Sequence, residues 1–244
     1  MSKKNYLGFV IKATKLKESD LIVNIFTASE GIESFYLKNA NLAKSKRGRQ
    51  IEILNLISFS TQHNLAKTSL AYVNELKLES NSTALKSLTT SYIEAFVIAE
   101  VLTKVLPPGE PLPELFELLL EIAHYPVKET ARLIFLYLGL NLLKLLGYLP
   151  ELDFSQLTQE KLNPELGINL MDEGIGYYQT SDSVNLQILR SLKIQLYLTR
   201  HNLNEIAKLN ISQSDLDWLF NLLLSWFEYI MESKLNSKLL LITK

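Results

Sequence analysis

The sequence predicts an α+β protein. A small antiparallel β-barrel comes first, and an all-helical domain with a small irregular hairpin insertion follows. Three observations lead there. Residues 6–78 hold five short runs rich in β-branched and aromatic side chains, several of them alternating as half-buried strands do. Beyond Glu79 long apolar segments recur at helical spacing. The net charge of −1 also hides a division: residues 1–80 carry 12 Lys+Arg against 7 Asp+Glu, and residues 81–244 carry 13 against 19. Such a split points to a polyanion partner for the basic half.

The strand runs are 6–14, 21–27, 32–38, 51–60 and 69–78. Glu30-Gly31 separates the second from the third, where a tight turn needs a glycine able to reach positive φ. Five short strands in fewer than 80 residues suit a closed barrel, because closure removes exposed edges. An OB-type barrel fits best, with an SH3-like barrel as its rival. The expected domains are therefore 1–80, the barrel, and 81–244, helical, with 152–182 an insertion.

Helices are expected over 84–106, 112–125, 127–147, 185–200 and 214–233. Pro107-Pro108-Gly109 ends the first. Ser214 is the expected N-cap of the last, with Asp215 and Asp217 in its first turn. The segment 152–182 interrupts the helical pattern. Within it, 166–170 and 175–179 flank Asp172-Glu173-Gly174 as a hairpin. Residues 204–224 have a helix-turn-helix outline, but the second helix offers Asp215, Asp217 and a wide apolar surface, so it reads as a core hairpin.

Composition narrows the chemistry. A hydrophobic fraction of 47% supports a packed core, and the absence of cysteine excludes disulfides and thiolate metal sites. His63, His124 and His201 are scattered without metal-ligand spacing. Glu117 and Glu121, four apart, read as a solvated helix face. No glycine-rich phosphate loop or nucleophile elbow occurs, so neither an enzyme nor a cofactor is expected. The most apolar stretch, 133–149, is broken by Asn141 and Lys144, and no signal peptide opens the chain. The expected location is the cytoplasm, with no membrane contact.

The most informative local feature is Lys44-Ser45-Lys46-Arg47-Gly48-Arg49, four positive charges in six residues after the third strand. Ser and Gly suggest a flexible loop able to wrap onto phosphates. Lys12, Lys15 and Lys17 around the first turn and Lys38 at the end of the third strand extend the track. Unpaired bases stack on exposed rings, and Tyr36 alternates away from the core-facing Phe35 and Leu37, so it is the stacking candidate. Phe9, Phe26 and Phe59 read as core.

The stretch Glu18-Ser19-Asp20-Leu21 through Phe26-Thr27 to Gly31, followed by the basic loop, resembles the bacterial recombination mediator family RecO. Pro113-Glu114-Leu115-Phe116, Leu146-Gly147-Tyr148-Leu149-Pro150-Glu151-Leu152 and Lys234-Leu235-Asn236-Ser237-Lys238 are similar to later segments of that family, in the same order. The resemblance implies a non-enzymatic mediator of RecF-pathway repair. It would bind single- and double-stranded DNA, anneal complementary strands and, with RecR, help load RecA onto DNA coated by single-strand binding protein. The chain departs from the family in three places. Lys38-Asn39-Ala40-Asn41 stands where the family has K-G-A-R. The insertion 152–182 has none of the four zinc-binding cysteines many members carry there. Leu136 and Tyr137 replace arginines of the helical domain, leaving Arg132 as the nearest candidate for the acidic-apolar tail of single-strand binding protein. A non-enzymatic protein-interaction module with an incidental basic loop is the alternative.

Overall fold

The computed structural model describes residues 3–62, 70–82, 93–125 and 131–238. Five strands close a barrel in the order β1-β2-β3-β5-β4, with β1 returning to pair with β4. They are β1 (Lys3–Leu16), β2 (Asp20–Thr27), β3 (Gly31–Leu37), β4 (Leu56–Gln62) and β5 (Ala71–Ser80). All pairs are antiparallel except β3 with β5. This is the OB-type barrel, and the SH3-like alternative falls away. Alternation decides which side chains enter: Val10, Val23, Ile25, Phe35, Leu37, Ile57, Phe59 and Val73 meet in one buried cluster. Each such side chain contributes about 1.5–3 kcal/mol by leaving water.

The expected fourth strand begins too early. Residues 51–55 form turns instead, because Leu54 has φ 59° and donates its N–H to Val10 while Asn55 accepts from Val10. That pairing sits beside the β-bulge between Val10 and Lys12. Gly31, with φ 64°, serves the predicted turn and a second purpose: a Cβ there would lie 2.2 Å from the Glu110 carbonyl oxygen.

Three elements join the barrel in a compact unit of residues 1–127 and 236–244. Helices α1 (Ile93–Val105) and α2 (Pro113–His124) follow the barrel in sequence. Phe116 of α2 packs on Phe9 and Phe26, with ring centroids 5.4 and 6.0 Å apart. The returning segment 236–238 is bound by Glu100 of α1. Its carboxylate accepts from the backbone N–H groups of Asn236 and Ser237 at 2.9 and 2.8 Å and from both their side chains, while Lys104 pairs with it at 3.0 Å. By compactness the first unit runs to 127 and takes back the segment from 236.

The second unit, residues 128–235, contains α3 (Ala131–Leu145), α4 (Leu186–Leu198), α5 (Leu203–Ile206) and α6 (Gln213–Ile230). The hairpin lies where it was expected, as β6 (Gly167–Leu170) and β7 (Tyr177–Thr180). The cap of α6 is Ser212 rather than Ser214: its hydroxyl accepts from the Asp215 N–H. α6 buries Leu216, Leu219, Phe220, Leu223 and Leu224, and α5 buries Leu203 and Ile206. The segment 152–182 is held by polar side chains and packing. Ser155 accepts from the Thr158 and Gln179 N–H groups. Gln179 spans Asn163 and Gly167. The buried Tyr177 hydroxyl accepts from Gln195 at 2.6 Å. The expected helical residues 84–92 and 127–130, and His63, lie outside the described residues.

Partial burial pushes the Glu100 carboxyl up. The N–H groups of Ser237 and Asn236, then Lys104 and the Ser237 hydroxyl, outweigh it and bring the pKa from 4.5 to about 2. Its stabilisation is complete above about 4.5 and is lost as pH falls towards 2. Glu100→Gln is expected to lower stability by about 2 kcal/mol at neutral pH. Urea midpoints measured across a pH series should show the gap between variant and wild type closing in that window.

Candidate nucleic-acid interface

The basic loop is shaped by its attachments. At its start, Asn39 takes φ 57° and donates its N–H to the Asp20 carboxylate at 2.9 Å. Asn41 donates its N–H to the Ser19 carbonyl and its side-chain amide to the Glu18 carbonyl. Ala40 and Ile51 are buried in the barrel cluster. In the middle, Arg47 donates to the Val73 carbonyl of β5 at 2.6 Å. Gly48 passes so close to Ala40 that a Cβ would lie 1.9 Å from its carbonyl oxygen. The flexible wrap expected from Ser45 and Gly48 is therefore replaced by a fitted loop. The glycine permits a close approach, and Ser45 accepts from the Gly48 N–H.

This fitting sorts the cations. Lys38, Lys44, Lys46 and Arg49 are exposed. Arg47 is half-buried, and burial pulls its pKa below the usual value. Its guanidinium is turned onto the barrel backbone. Lys15 is exposed on β1 and shares a register row with Leu21 and Leu37, which places it at the same barrel end as Lys38. Lys12 is exposed but lies elsewhere, lining a groove of about 430 Å³ with Ile53, Phe96 and Thr103. Arg132 belongs to the second unit. It pairs with Asp217 at 2.7 Å and stands 3.7 Å over the Phe220 ring. Any acidic partner of Arg132 competes with Asp217.

Tyr36 lies on the outer barrel face, and its hydroxyl donates to Asp20. Beside it is a ring the sequence reading missed. Tyr72 pairs with Tyr36 across the parallel β3–β5 contact, with centroids 4.8 Å apart and planes at 65°. Ile22 completes the row. Phe59 is in the barrel core, as expected. Asp20 is only 7% exposed, and its carboxyl is held below the usual range by the Asn39 N–H, then by Tyr36. The same carboxylate pushes the Tyr36 phenol up to about 12. Among the described residues, no group of three or more His, Asp or Glu is placed to hold a metal. Nor is any described helix long and apolar enough to cross a membrane.

A closed five-stranded OB-type barrel bearing exposed cations on a fitted loop defines the class: a barrel protein with a basic face. The chain belongs to the recombination protein O family, a family of DNA repair and recombination proteins. Residues 1–81 match the model of the recombination protein O N-terminal region, and residues 85–239 match that of its C-terminal region. Among curated relatives, it is 25% identical over 171 residues to a DNA repair protein RecO of Pelobacter propionicus, covering 68% of this chain and 67% of that one. It is 27% identical over 140 residues to a DNA repair protein RecO of Syntrophobacter fumaroxidans, covering 56% and 54%.

Two substitutions test this geometry. Gly48→Ala is expected to cost about 2 kcal/mol in urea unfolding, because the clashing Ala40 oxygen is backbone and cannot swing away. Asp20→Asn removes the charge that disfavours the Tyr36 phenolate. One phenol titration should therefore move from about 12 down towards 10, visible as a difference in ultraviolet absorbance against Tyr36→Phe.

Proposed function

We propose that this chain is a DNA-binding recombination mediator that acts without catalysis, binding single- and double-stranded DNA through the barrel. The observation that carries the reading is the fitted loop: Lys44, Lys46 and Arg49 stay exposed while Arg47 fixes their backbone to β5. Preformed cations meet phosphates without first ordering the loop, so less conformational entropy opposes binding. Lys38 and Lys15 extend the same end of the barrel. Lys12 is a more distant contributor.

Family membership supports the finer role: annealing complementary strands in RecF-pathway repair and, with RecR, helping RecA onto DNA covered by single-strand binding protein. Annealing requires that bound strands keep their Watson–Crick edges free. Backbone neutralisation meets that requirement, since it carries no sequence information. A contact of the helical unit with the tail of single-strand binding protein stays part of the reading, through Arg132 released from Asp217. Action on chromosomal DNA sets the place of work in the cytoplasm.

The test is affinity for a labelled single strand across a salt series. Lys44→Ala, Lys46→Ala and Arg49→Ala combined are expected to weaken binding and to reduce the log–log salt slope by about 2, at roughly 0.7 per phosphate contact on single strands. An unchanged slope removes the loop from the interface.

A further inference from the structure

We propose that Tyr72, set edge-to-face against Tyr36, is the residue that makes this barrel favour unpaired over paired DNA. The inference rests on the DNA-binding reading above and adds to it the source of strand preference.

Three observations carry it. First, both rings face outward. Their neighbours Phe35, Leu37, Ala71 and Val73 all enter the barrel core, so alternation sends Tyr36 and Tyr72 to the opposite face. Second, the pair is fixed. The Tyr36 hydroxyl is taken up by Asp20, which also holds the Asn39 N–H and the Ser19 hydroxyl. Tyr36 therefore has its ring to offer and not its hydroxyl. With planes at 65° the two rings make a corner: a base lying flat on one presents its edge to the other. Third, the phosphate-binding loop is one residue away. Arg47 binds the carbonyl of Val73, next to Tyr72 in the chain. A backbone crossing the loop can thus lay a base onto the corner.

Charge alone does not favour the single strand, since the duplex carries the denser array of phosphates. Ring stacking can. In a duplex each base face is already covered by its neighbours, whereas an unpaired base has a face to give. The loop then sets affinity for any DNA, and the tyrosine corner adds affinity only for single strands.

The experiment measures the full chain's affinity for a labelled single strand and for a duplex of the same sequence, across salt. Tyr72→Ala is expected to weaken single-strand binding on the order of tenfold, with duplex binding held within about twofold and both salt slopes unchanged. Tyr72→Phe should retain the preference. Tyr72→Leu, which keeps apolar bulk without a π-face, should lose it. Thermal unfolding of all three reports that the barrel is intact, and the leucine variant carries the test if alanine unfolds it. If Tyr72→Leu binds both forms as wild type does, or weakens both equally, the inference is overturned while the DNA-binding reading stands. If wild type binds neither form in a salt-dependent way, the DNA-binding reading itself falls.

Discussion

The carboxylate of Asp20 is the constraint on which the basic face depends. It is a nearly buried charge at the start of β2, and burial of a charge is tolerated only when donors surround it. Here they come from three separate places: the Ser19 hydroxyl of the preceding turn, the Tyr36 hydroxyl of β3 and the Asn39 N–H that opens the loop. One anion therefore sets the orientation of an outward ring and the direction in which the chain leaves β3. The left-handed conformation of Asn39 is held by the same bond. The loop's second anchor, Arg47 on Val73, works in the opposite sense: a cation satisfies a backbone carbonyl. Lys44 and Lys46 between these anchors, and Arg49 just beyond the second, are left facing water.

Much of this was legible from residue order, and the exceptions have physical causes. Alternation in 21–27 and 32–38 identifies β2 and β3 because each has one face in the barrel core. Residues 51–55, with Ile51, Ile53 and Leu54, look like the start of a strand, yet their outcome is set beside a bulge in β1, forty residues earlier. Ser212 and Ser214 are equally good caps by type. The choice falls to Ser212 because Asp215 then occupies the third helical position, where its N–H donates to the Ser212 hydroxyl and its carboxylate accepts from it.

The site shows the same division. A run of four cations states how much charge the loop carries, but not where each side chain points. Arg47 turns inward because Val73, twenty-six residues on, presents a carbonyl within reach. Tyr72 looks like any aromatic in a strand. Its significance comes from a parallel pairing with β3 that no local pattern encodes, since β4 intervenes in sequence. Arg132 was visible as a cation on a helix. That Asp217 and Phe220 already engage it depends on how α3 meets α6. In each case the residue type was readable and the partner was not, because the partner is brought by topology.

The bond between Glu100 and residues 236–237 has a consequence for how the chain matures. The first compact unit is discontinuous: its main body ends at Val127, and its last piece returns only after all of 128–235. On a ribosome the barrel and α1, with Lys104 beside Glu100, emerge early, but the donors of Asn236 and Ser237 are made more than a hundred residues later. Until then Lys104, one turn on in α1, is the partner that Glu100 has within its own helix. Closure of the first unit over Glu100 is therefore tied to synthesis of the whole of the second.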